Sequence, residues 1–242
     1  MQKEAQLFDN IVHARRSIRI YDDKKPFDGE AVKRSLDRAV LAPNSSNLQL
    51  WEFYRVKTKE KKDELAKYCL GQNAAKTANE LIVFVARKDK WKQHAAYVLN
   101  EAKKDFPEKL GKREKLVVDY YTKVIPTLYF SDPVDITGGL KTIVSAVGGA
   151  FQPIPREVTA TDVRIVVHKS VALAAQTFML SMQAEGYDTC PMEGFDSRRV
   201  KKFLGLPRAA EITMIVSVGT AKPSGVYGKR VRLPNEEVIF EI

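Results

Sequence analysis

Three arginines surround one serine in the stretch ARRSIRIYD, residues 14–22. Arg15, Arg16 and Arg19 carry planar guanidinium groups, which bind phosphate oxygens in pairs, and Ser17 adds a neutral hydroxyl donor. A solvated helix end, a nuclear-targeting segment and half of a phosphate site would each account for this local charge. The choice among them depends on the rest of the chain.

Further polar clusters lie where predicted helices and strands end. They read APNSSNLQLW (42–51), NAAK (73–76), CPMEGF (190–195) and GKRVRLP (228–234). The last cluster places Arg230 and Arg232 close to a turn, which again suits a terminal phosphate. Each cluster alone is weak, because RRSIR equally fits a solvated helix end and NSSN after a proline is more often a plain turn.

The common signatures of enzyme sites are missing from the sequence. It contains no G-x-S-x-G, G-x-G-x-x-G, P-loop or H-E-x-x-H pattern. His13, His94 and His168 lack metal-ligand spacing, so ordinary surface or core histidines are expected. Cys69 and Cys190 form no C-x-x-C pair, which argues against a disulfide framework or a zinc site and fits a reducing cytoplasm. We therefore expect no metal and no side-chain nucleophile.

Composition narrows the class of protein and its partners. A chain of 242 residues that is 44% hydrophobic can form one large domain, and we expect a single domain over 1–242. Forty basic against thirty acidic residues give a formal charge of +10, which favours anionic partners. The charge is scattered and not interleaved with aromatic residues, so nucleic acid is not the expected partner. Secretion and membrane spanning are not expected, because the N-terminus lacks a signal-peptide pattern and polar residues interrupt the longest apolar region, 171–182.

Hydrophobic patterning predicts an α+β fold, a mixed central sheet flanked by helices. Strands are expected at 51–57, 80–87, 212–219 and 236–242, and the second and third are apolar enough to be covered on both faces. Helices are expected at 28–43, 59–68, 93–104 and 197–204.

A long helix is predicted between Thr161, as its N-terminal cap, and Gly186 at its end. From Val171 onward its residues are apolar or small nearly all round, which predicts burial on every side. A helix without a polar, solvent-exposed face in a chain of this size often packs against a partner subunit, so we expect a homodimer.

Residues 127–160 predict an irregular, lid-like excursion within the single domain. Paired glycines at 138–139 and 148–149 permit unusual backbone angles, and Pro153 and Pro155 stiffen the chain near its end. Tyr129, Phe130 and Phe151 could lie over a planar electron acceptor. The alternative is a surface excursion with no contact to the site.

Taken in order, the polar clusters resemble the FMN-dependent nitroreductase family. The family carries R-R-S-x-R, then A-P-S-S-x-N-x-Q-P-W before a strand, N-x-x-K before the next strand, P-x-E-G-F/L after the long helix and a basic pair before L-P. The matching stretches here are 15–19, 42–51, 73–76, 191–195 and 230–234. Two positions depart from the pattern: Asn44 replaces a serine and Leu50 replaces a proline. Asn44 can still donate and accept hydrogen bonds, whereas Leu50 removes a rigid turn.

The resemblance implies a three-layer α/β/α homodimer with FMN at the interface and a C-terminal strand that pairs with the partner's sheet. It assigns the FMN phosphate to Arg15 and Ser17, helped by Arg230 and Arg232, and it places Arg16 among the cofactor-binding residues. It implies that Arg19, Asn73 and Lys76 face the pyrimidine edge of the flavin. It also implies that Asn44, Ser45 and Asn47 contact FMN across the dimer interface. It places the backbone around Glu193 and Gly194 near flavin N5, and it adds Pro191 and Met192 to the cofactor-binding residues.

The resemblance also implies a reaction. NADH or NADPH would deliver hydride to flavin N5, leave, and be replaced by a nitroaromatic, a quinone or an activated alkene, in a ping-pong sequence. No catalytic side chain is implied. The alternative is a flavin-binding or nucleotide-sensing protein that uses the same scaffold without turnover.

Overall fold

The structure of the chain is a computed structural model, and it describes residues 2–132 and 135–242. Its centre is a four-stranded sheet in the order β1-β2-β4-β3. The strands are β1 (Trp51–Val56), β2 (Glu80–Ala86), β3 (Asp188–Met192) and β4 (Glu211–Gly219). Neighbouring strands are antiparallel throughout, with Trp51 opposite Ala86, Glu80 opposite Val218 and Cys190 opposite Ser217.

Helices cover both faces of this sheet. They are α1 (Lys3–Ala14), α2 (Gly29–Ala39), α3 (Lys59–Tyr68), α4 (Asn73–Lys76), α5 (Trp91–Lys103), α6 (Lys112–Asp119), α7 (Ile125–Tyr129), α8 (Ile136–Gly148), α9 (Ala160–Ala184) and α10 (Ser197–Phe203). The four helices predicted from periodicity are found as α2, α3, α5 and α10. Helix α2 begins after Asp28, whose side chain accepts a hydrogen bond from the Glu30 N–H at 2.9 Å.

Strand β2 explains why the sheet has two cores. All seven of its residues are buried, and successive side chains point to opposite faces. Ile82 and Phe84 pack into the core formed with α2 and α9. Leu81, Val83 and Val85 pack into the core formed with α3, α4 and α10. The predicted α+β arrangement of three layers is therefore confirmed.

The parallel part of the predicted mixed sheet is small. Ser17 forms an isolated parallel bridge with Thr189 of β3, and Tyr21 forms an antiparallel bridge with Ala221. The first bridge places the arginine-bearing N-terminal segment beside the edge strand β3, and the second joins it to the residues after β4. β3 itself was not predicted, because it is short and contains Pro191, and its sequence stands out as a polar cluster.

The strand predicted at 236–242 is wrong for the single chain. Asn235–Glu237 forms a 3-10 turn, and the residues after it have no regular structure. Val238, Ile239 and Phe240 are exposed. An apolar segment rich in β-formers becomes a strand only beside a free sheet edge, and within the described part of this chain it has no such partner.

The irregular excursion predicted at 127–160 contains a helix of 13 residues, α8, so that prediction is also wrong in part. Gly138 lies inside α8, where a side chain would overlap the carboxylate of Asp135. Lys141 holds the helix against the preceding segment, because its ammonium group donates to the carbonyls of Leu128 at 3.2 Å and Phe130 at 2.7 Å. These tertiary contacts override the low helix propensity of the glycines.

Helix α9 differs from its prediction at its start and along one side. Thr159, not Thr161, caps it: Thr159 Oγ1 accepts from the Asp162 N–H at 3.2 Å, and Asp162 Oδ2 accepts from the Thr159 N–H at 3.0 Å. The helix is not buried on every side of the protomer, since Ile165 and Leu173 are 43% and 47% exposed. By length and composition alone α9 passes a test for membrane spans, as core helices also do, and half of its most apolar stretch is buried inside the fold.

Thr159→Ala should destabilise the protein by about 1 kcal/mol, because it leaves an N-terminal N–H of α9 without its acceptor. Urea unfolding followed by circular dichroism measures the change. The matched control is Thr161→Ala, which removes the same atoms from an exposed position two residues later. Equal losses in the two variants would contradict the assignment of the cap.

Candidate functional site

Both ends of the chain meet at a cavity of about 250 Å³ lined by arginines. The N-terminal segment contributes Arg15, Arg16, Ser17 and Arg19, and the C-terminal segment, 226–232, contributes Arg230 and Arg232. We call this site the arginine cavity. The two basic clusters that the sequence analysis paired therefore lie together, although they are more than two hundred residues apart in the chain.

Main-chain hydrogen bonds hold the two ends together. The Arg19 N–H donates to the Gly225 carbonyl at 2.7 Å, and the Ile18 N–H donates to the Thr189 carbonyl at 3.0 Å. Two guanidinium groups add further links from side chain to backbone. Arg16 donates to the Gly228 carbonyl at 2.5 Å, and Arg230 donates to the carbonyls of Arg15 at 2.5 Å and His13 at 3.0 Å. The walls of the cavity are thus fixed by the backbone.

The electrostatics of the cavity favour an anion. Over residues 2–132 and 135–242, no carboxylate forms an ion pair with any of its five arginines. Burial lowers the pKa of Arg15, and the neighbouring guanidinium groups of Arg230 and Arg232 lower it further by repulsion. Arginine stays charged at neutral pH all the same. A phosphate group entering the cavity would relieve this repulsion and accept charge-assisted hydrogen bonds.

Helix α4 borders the arginine cavity. Asn73 Nδ2 lies 3.4 Å from the hydroxyl of Tyr227, which lines the cavity. Lys76 lies one turn further along the same helix and is exposed. Gln72, just before the helix, donates to the Gly194 carbonyl at 2.8 Å. This bond ties the turn after β3 to the start of α4.

The predicted stretch at 191–194 spans the end of β3 and the turn after it. Pro191 and Met192 pair with Val216 and Ile215 of β4, and Met192 is buried. Glu193 and Gly194 lie beyond the last pair and are exposed. The sheet thus fixes the start of the stretch and presents the following turn to solvent.

The loop at 44–47 lies elsewhere. Asn44 Oδ1 accepts from the Gln49 N–H at 2.8 Å, and the Ser45 N–H donates to Ser170 Oγ of α9 at 3.3 Å. None of its described contacts reaches the arginine cavity. Leu50, where the family has proline, is buried, and its carbonyl accepts from the Arg87 N–H at 3.0 Å. Packing therefore replaces the rigid turn at this position.

The predicted site residues thus fall into two groups within one protomer. One group surrounds or borders the arginine cavity, and the other, Asn44, Ser45 and Asn47, lies on the loop beside α9. Tyr227 and Lys229 also line the cavity, although the sequence marks Lys229 only as a member of the cluster 228–234 and marks Tyr227 only by its position next to that cluster. Tyr120 and Tyr121 contact the loop from the segment between α6 and α7, and no motif or periodic pattern in the sequence predicts this contact.

The comparison with known families decides where the chain belongs. The sequence model of the nitroreductase family matches residues 12–220. The chain belongs to the nitroreductase family. One relative is YdgI of Bacillus subtilis (strain 168), which is named as a candidate NAD(P)H nitroreductase. It is 25% identical over 225 residues, which cover 93% of each chain.

Solved structures give the same fold. YdfN of Bacillus subtilis, described as a candidate nitroreductase, superposes with a TM-score of 0.74 at 24% identity, over 98% of this chain and 100% of its own. A candidate nitroreductase from Exiguobacterium sibiricum, solved in complex with FMN, superposes with a TM-score of 0.67 at 23% identity, over 97% of both chains. These likenesses show the nitroreductase fold for this chain.

Proposed function

We propose that this protein is an FMN-dependent oxidoreductase. It takes electrons from NADH or NADPH and passes them to a nitroaromatic, a quinone or an activated alkene in a ping-pong sequence. The observation that carries the proposal is the arginine cavity, in which five guanidinium groups from both chain ends lie without a carboxylate partner among the described residues. Such a cavity suits the terminal phosphate of a flavin mononucleotide.

The residues around the cavity fit FMN in type and order. Arg15, Arg230 and Arg232 supply charge for the phosphate, and Ser17 supplies a hydroxyl. Arg16 is engaged with the Gly228 carbonyl, and Arg230 is engaged with the carbonyls of His13 and Arg15, so both also shape the cavity while they add positive potential. FMN, when bound, supplies the chemistry of hydride acceptance and donation, which requires no nucleophilic side chain.

Two neighbouring segments would hold the flavin ring. Arg19, Asn73 and Lys76 are assigned to its pyrimidine edge, where positive charge favours the uptake of electrons. The turn at Glu193 and Gly194 is assigned to the N5 region. The hydrogen bond from Gln72 to the Gly194 carbonyl supports this role, because it fixes the orientation of the adjoining peptide.

The relatives support the proposal at the level of their names. YdgI is named for NAD(P)H and nitroreduction, and the Exiguobacterium sibiricum structure contains FMN. Two buried free cysteines, Cys69 and Cys190, fit a reducing compartment such as the cytoplasm.

The protein is further proposed to be a homodimer with FMN at its interface. Three features support this: the separation of the loop at 44–47 from the arginine cavity in one protomer, the exposed Ile165 and Leu173 on α9, and the exposed apolar C-terminal tail. In the dimer, the loop of one protomer would approach FMN held by the cavity of the other, and the tail would add to the partner's sheet.

Arg232→Ala should weaken FMN binding about ten- to a hundredfold, because a charge-assisted contact contributes roughly 1.5–3 kcal/mol. The dissociation constant is measured by titrating FMN with apoprotein and following flavin fluorescence. Arg113→Ala is the control, since Arg113 is an exposed arginine on α6 outside the cavity. The assignment fails if both variants bind FMN as the natural protein does.

The same preparation separates an enzyme from a flavin-binding protein without turnover. Anaerobic addition of NADH or NADPH to the FMN-loaded protein should bleach the visible flavin absorption. If FMN binds but neither nucleotide bleaches it, the non-catalytic alternative is favoured.

A dimer should appear in solution at micromolar concentration as twice the chain mass of 27.3 kDa, measured by light scattering after size exclusion. Leu173→Glu should shift the population toward monomer, because it places a charge on the exposed apolar side of α9. Leu110→Glu, in the connection before α6, is the control. A monomeric mass for the natural protein would contradict the proposed assembly.

The segment 127–160 is proposed to form part of the substrate enclosure. Helix α8 presents exposed apolar side chains at 136, 140, 143, 144 and 147, and Phe151 beyond it is 86% exposed. An apolar surface of this kind suits contact with an aromatic acceptor.

Phe151→Ala should change kcat/KM for a bulky quinone several-fold, because it removes a large ring from this surface. FMN content and the rate of flavin reduction by NAD(P)H should stay nearly the same. Steady-state assays with a series of acceptors of increasing size provide the measurement. Equal losses for all acceptors, or no change for any, would remove this segment from the active site.

A further inference from the structure

The loop at 44–49 has an unusual backbone. Ser46, Asn47 and Gln49 have φ angles of 57°, 52° and 50°, three of the five non-glycine residues with positive φ in the described chain. This left-handed region is unfavourable for residues with a Cβ atom. A loop that holds three such residues must be fixed by its surroundings, and strain of this kind clusters at functional sites.

Two tyrosines hold the loop at its first left-handed residue. The Tyr120 hydroxyl lies 2.7 Å from Ser46 Oγ, and the Tyr121 hydroxyl donates to the Ser46 carbonyl at 3.0 Å. The side chain and the backbone of one residue are therefore bound separately.

Consecutive residues of a regular α-helix point in different directions, so Tyr120 and Tyr121 would not normally reach the same target. Here they stand in a π-helical turn, Tyr120–Val124, in which the Ile125 N–H donates to the Tyr120 carbonyl five residues earlier. Pro126 gives a physical reason for the turn, because its ring lacks an N–H and would crowd the Thr122 carbonyl in a regular helix. The two tyrosine rings pack edge to face with centroids 5.3 Å apart.

We infer that Tyr120 and Tyr121 are positioning residues for the flavin site. They fix Ser46 in its left-handed conformation, and this sets the shape in which Asn44, Ser45 and Asn47 meet FMN. The inference rests on the proposed function, and it adds residues that lie outside the family pattern. The position of Ser46 is the one that A-P-S-S-x-N leaves open, and here it serves as the anchor of the loop.

The effect on binding comes from the order that the tyrosines impose. A loop that is already in its binding shape loses little conformational freedom when the ligand arrives. Without the hydroxyl groups the loop populates other shapes, and the apparent affinity falls with the population of the competent one. FMN affinity should therefore drop although no group that touches FMN has been removed.

The test uses Tyr120→Phe, Tyr121→Phe and the double variant, each of which keeps the ring and removes only the hydroxyl. The dissociation constant for FMN should rise about three- to tenfold in each single variant, the range expected for one hydrogen bond. The melting temperature of the apoprotein should change by no more than it does in Tyr68→Phe. That control removes a hydroxyl that donates to Glu64 at 2.7 Å on the exposed side of α3.

A double-mutant cycle tests whether Tyr120 acts through Ser46. Ser46→Ala removes the partner of the Tyr120 hydroxyl, so adding Tyr120→Phe to it should cause little further loss. The visible circular dichroism of bound flavin reports its surroundings and should change in the tyrosine variants but not in Tyr68→Phe.

The outcomes separate this inference from the proposed function. If the natural protein does not bind FMN, both are overturned. If it binds FMN and the tyrosine variants bind it equally well, the positioning role alone is overturned. The role is also overturned if the loss of affinity in each variant follows its loss of melting temperature, as a purely structural effect would.

Discussion

Repulsion between like charges is the constraint on which the site depends. Arg15, Arg230 and Arg232 are held close enough for burial and mutual repulsion to lower the pKa of Arg15. Such a cluster would separate unless the segments carrying it were fixed by other means. The main-chain bonds of Ile18 to Thr189 and of Arg19 to Gly225 provide that fixation. Because these bonds use backbone atoms, they occupy neither the guanidinium group of Arg15 nor that of Arg232, which itself donates to the neighbouring Val231 carbonyl at 2.6 Å.

The sheet also helps to hold the arginine-bearing segments together. β2 and β4 form a buried centre with a core on each face, and β3 offers its outer edge to the N-terminal segment through the bridge between Ser17 and Thr189. The bond between Gln72 and Gly194 then joins α4 to the turn after β3. Segments that are remote in sequence are thereby brought around one cavity, with a hydrophobic core on each face of the sheet behind it.

Local patterns in the sequence predicted the helices and strands whose formation depends only on the spacing and burial of their own residues. The continuous apolar run at 80–87 predicted a doubly covered strand, and the charged periodicity at 59–68 predicted α3, because burial and spacing alone decide such elements. The tail at 236–242 forms no strand within the single chain, since a strand depends on a neighbouring strand that the sequence does not specify, and its pairing with a partner's sheet stays a prediction. Helix α8 was missed because its glycines have a low helix propensity. The contacts of Lys141 that stabilise the helix are not visible in the sequence. The arginine cavity was predicted only through the resemblance, as nothing in the two basic clusters alone indicates that they meet. Tyr120 and Tyr121 were missed because hydrogen bonds between distant segments leave no periodic signal.

The π-helical turn at Tyr120–Val124 makes the length of this segment as important as its chemistry. It holds one more residue than an ordinary helical turn, and each residue of a helix turns the chain by about 100°. Loss of any one residue here would rotate α6 relative to α7 by about that angle. Because Ile125 and Tyr129 of α7 are buried in the core, Tyr120 and Tyr121 would then turn away from the loop, even if both tyrosines were retained. The segment should therefore tolerate exchanges of its exposed side chains, such as Lys123, far better than a change in its number of residues.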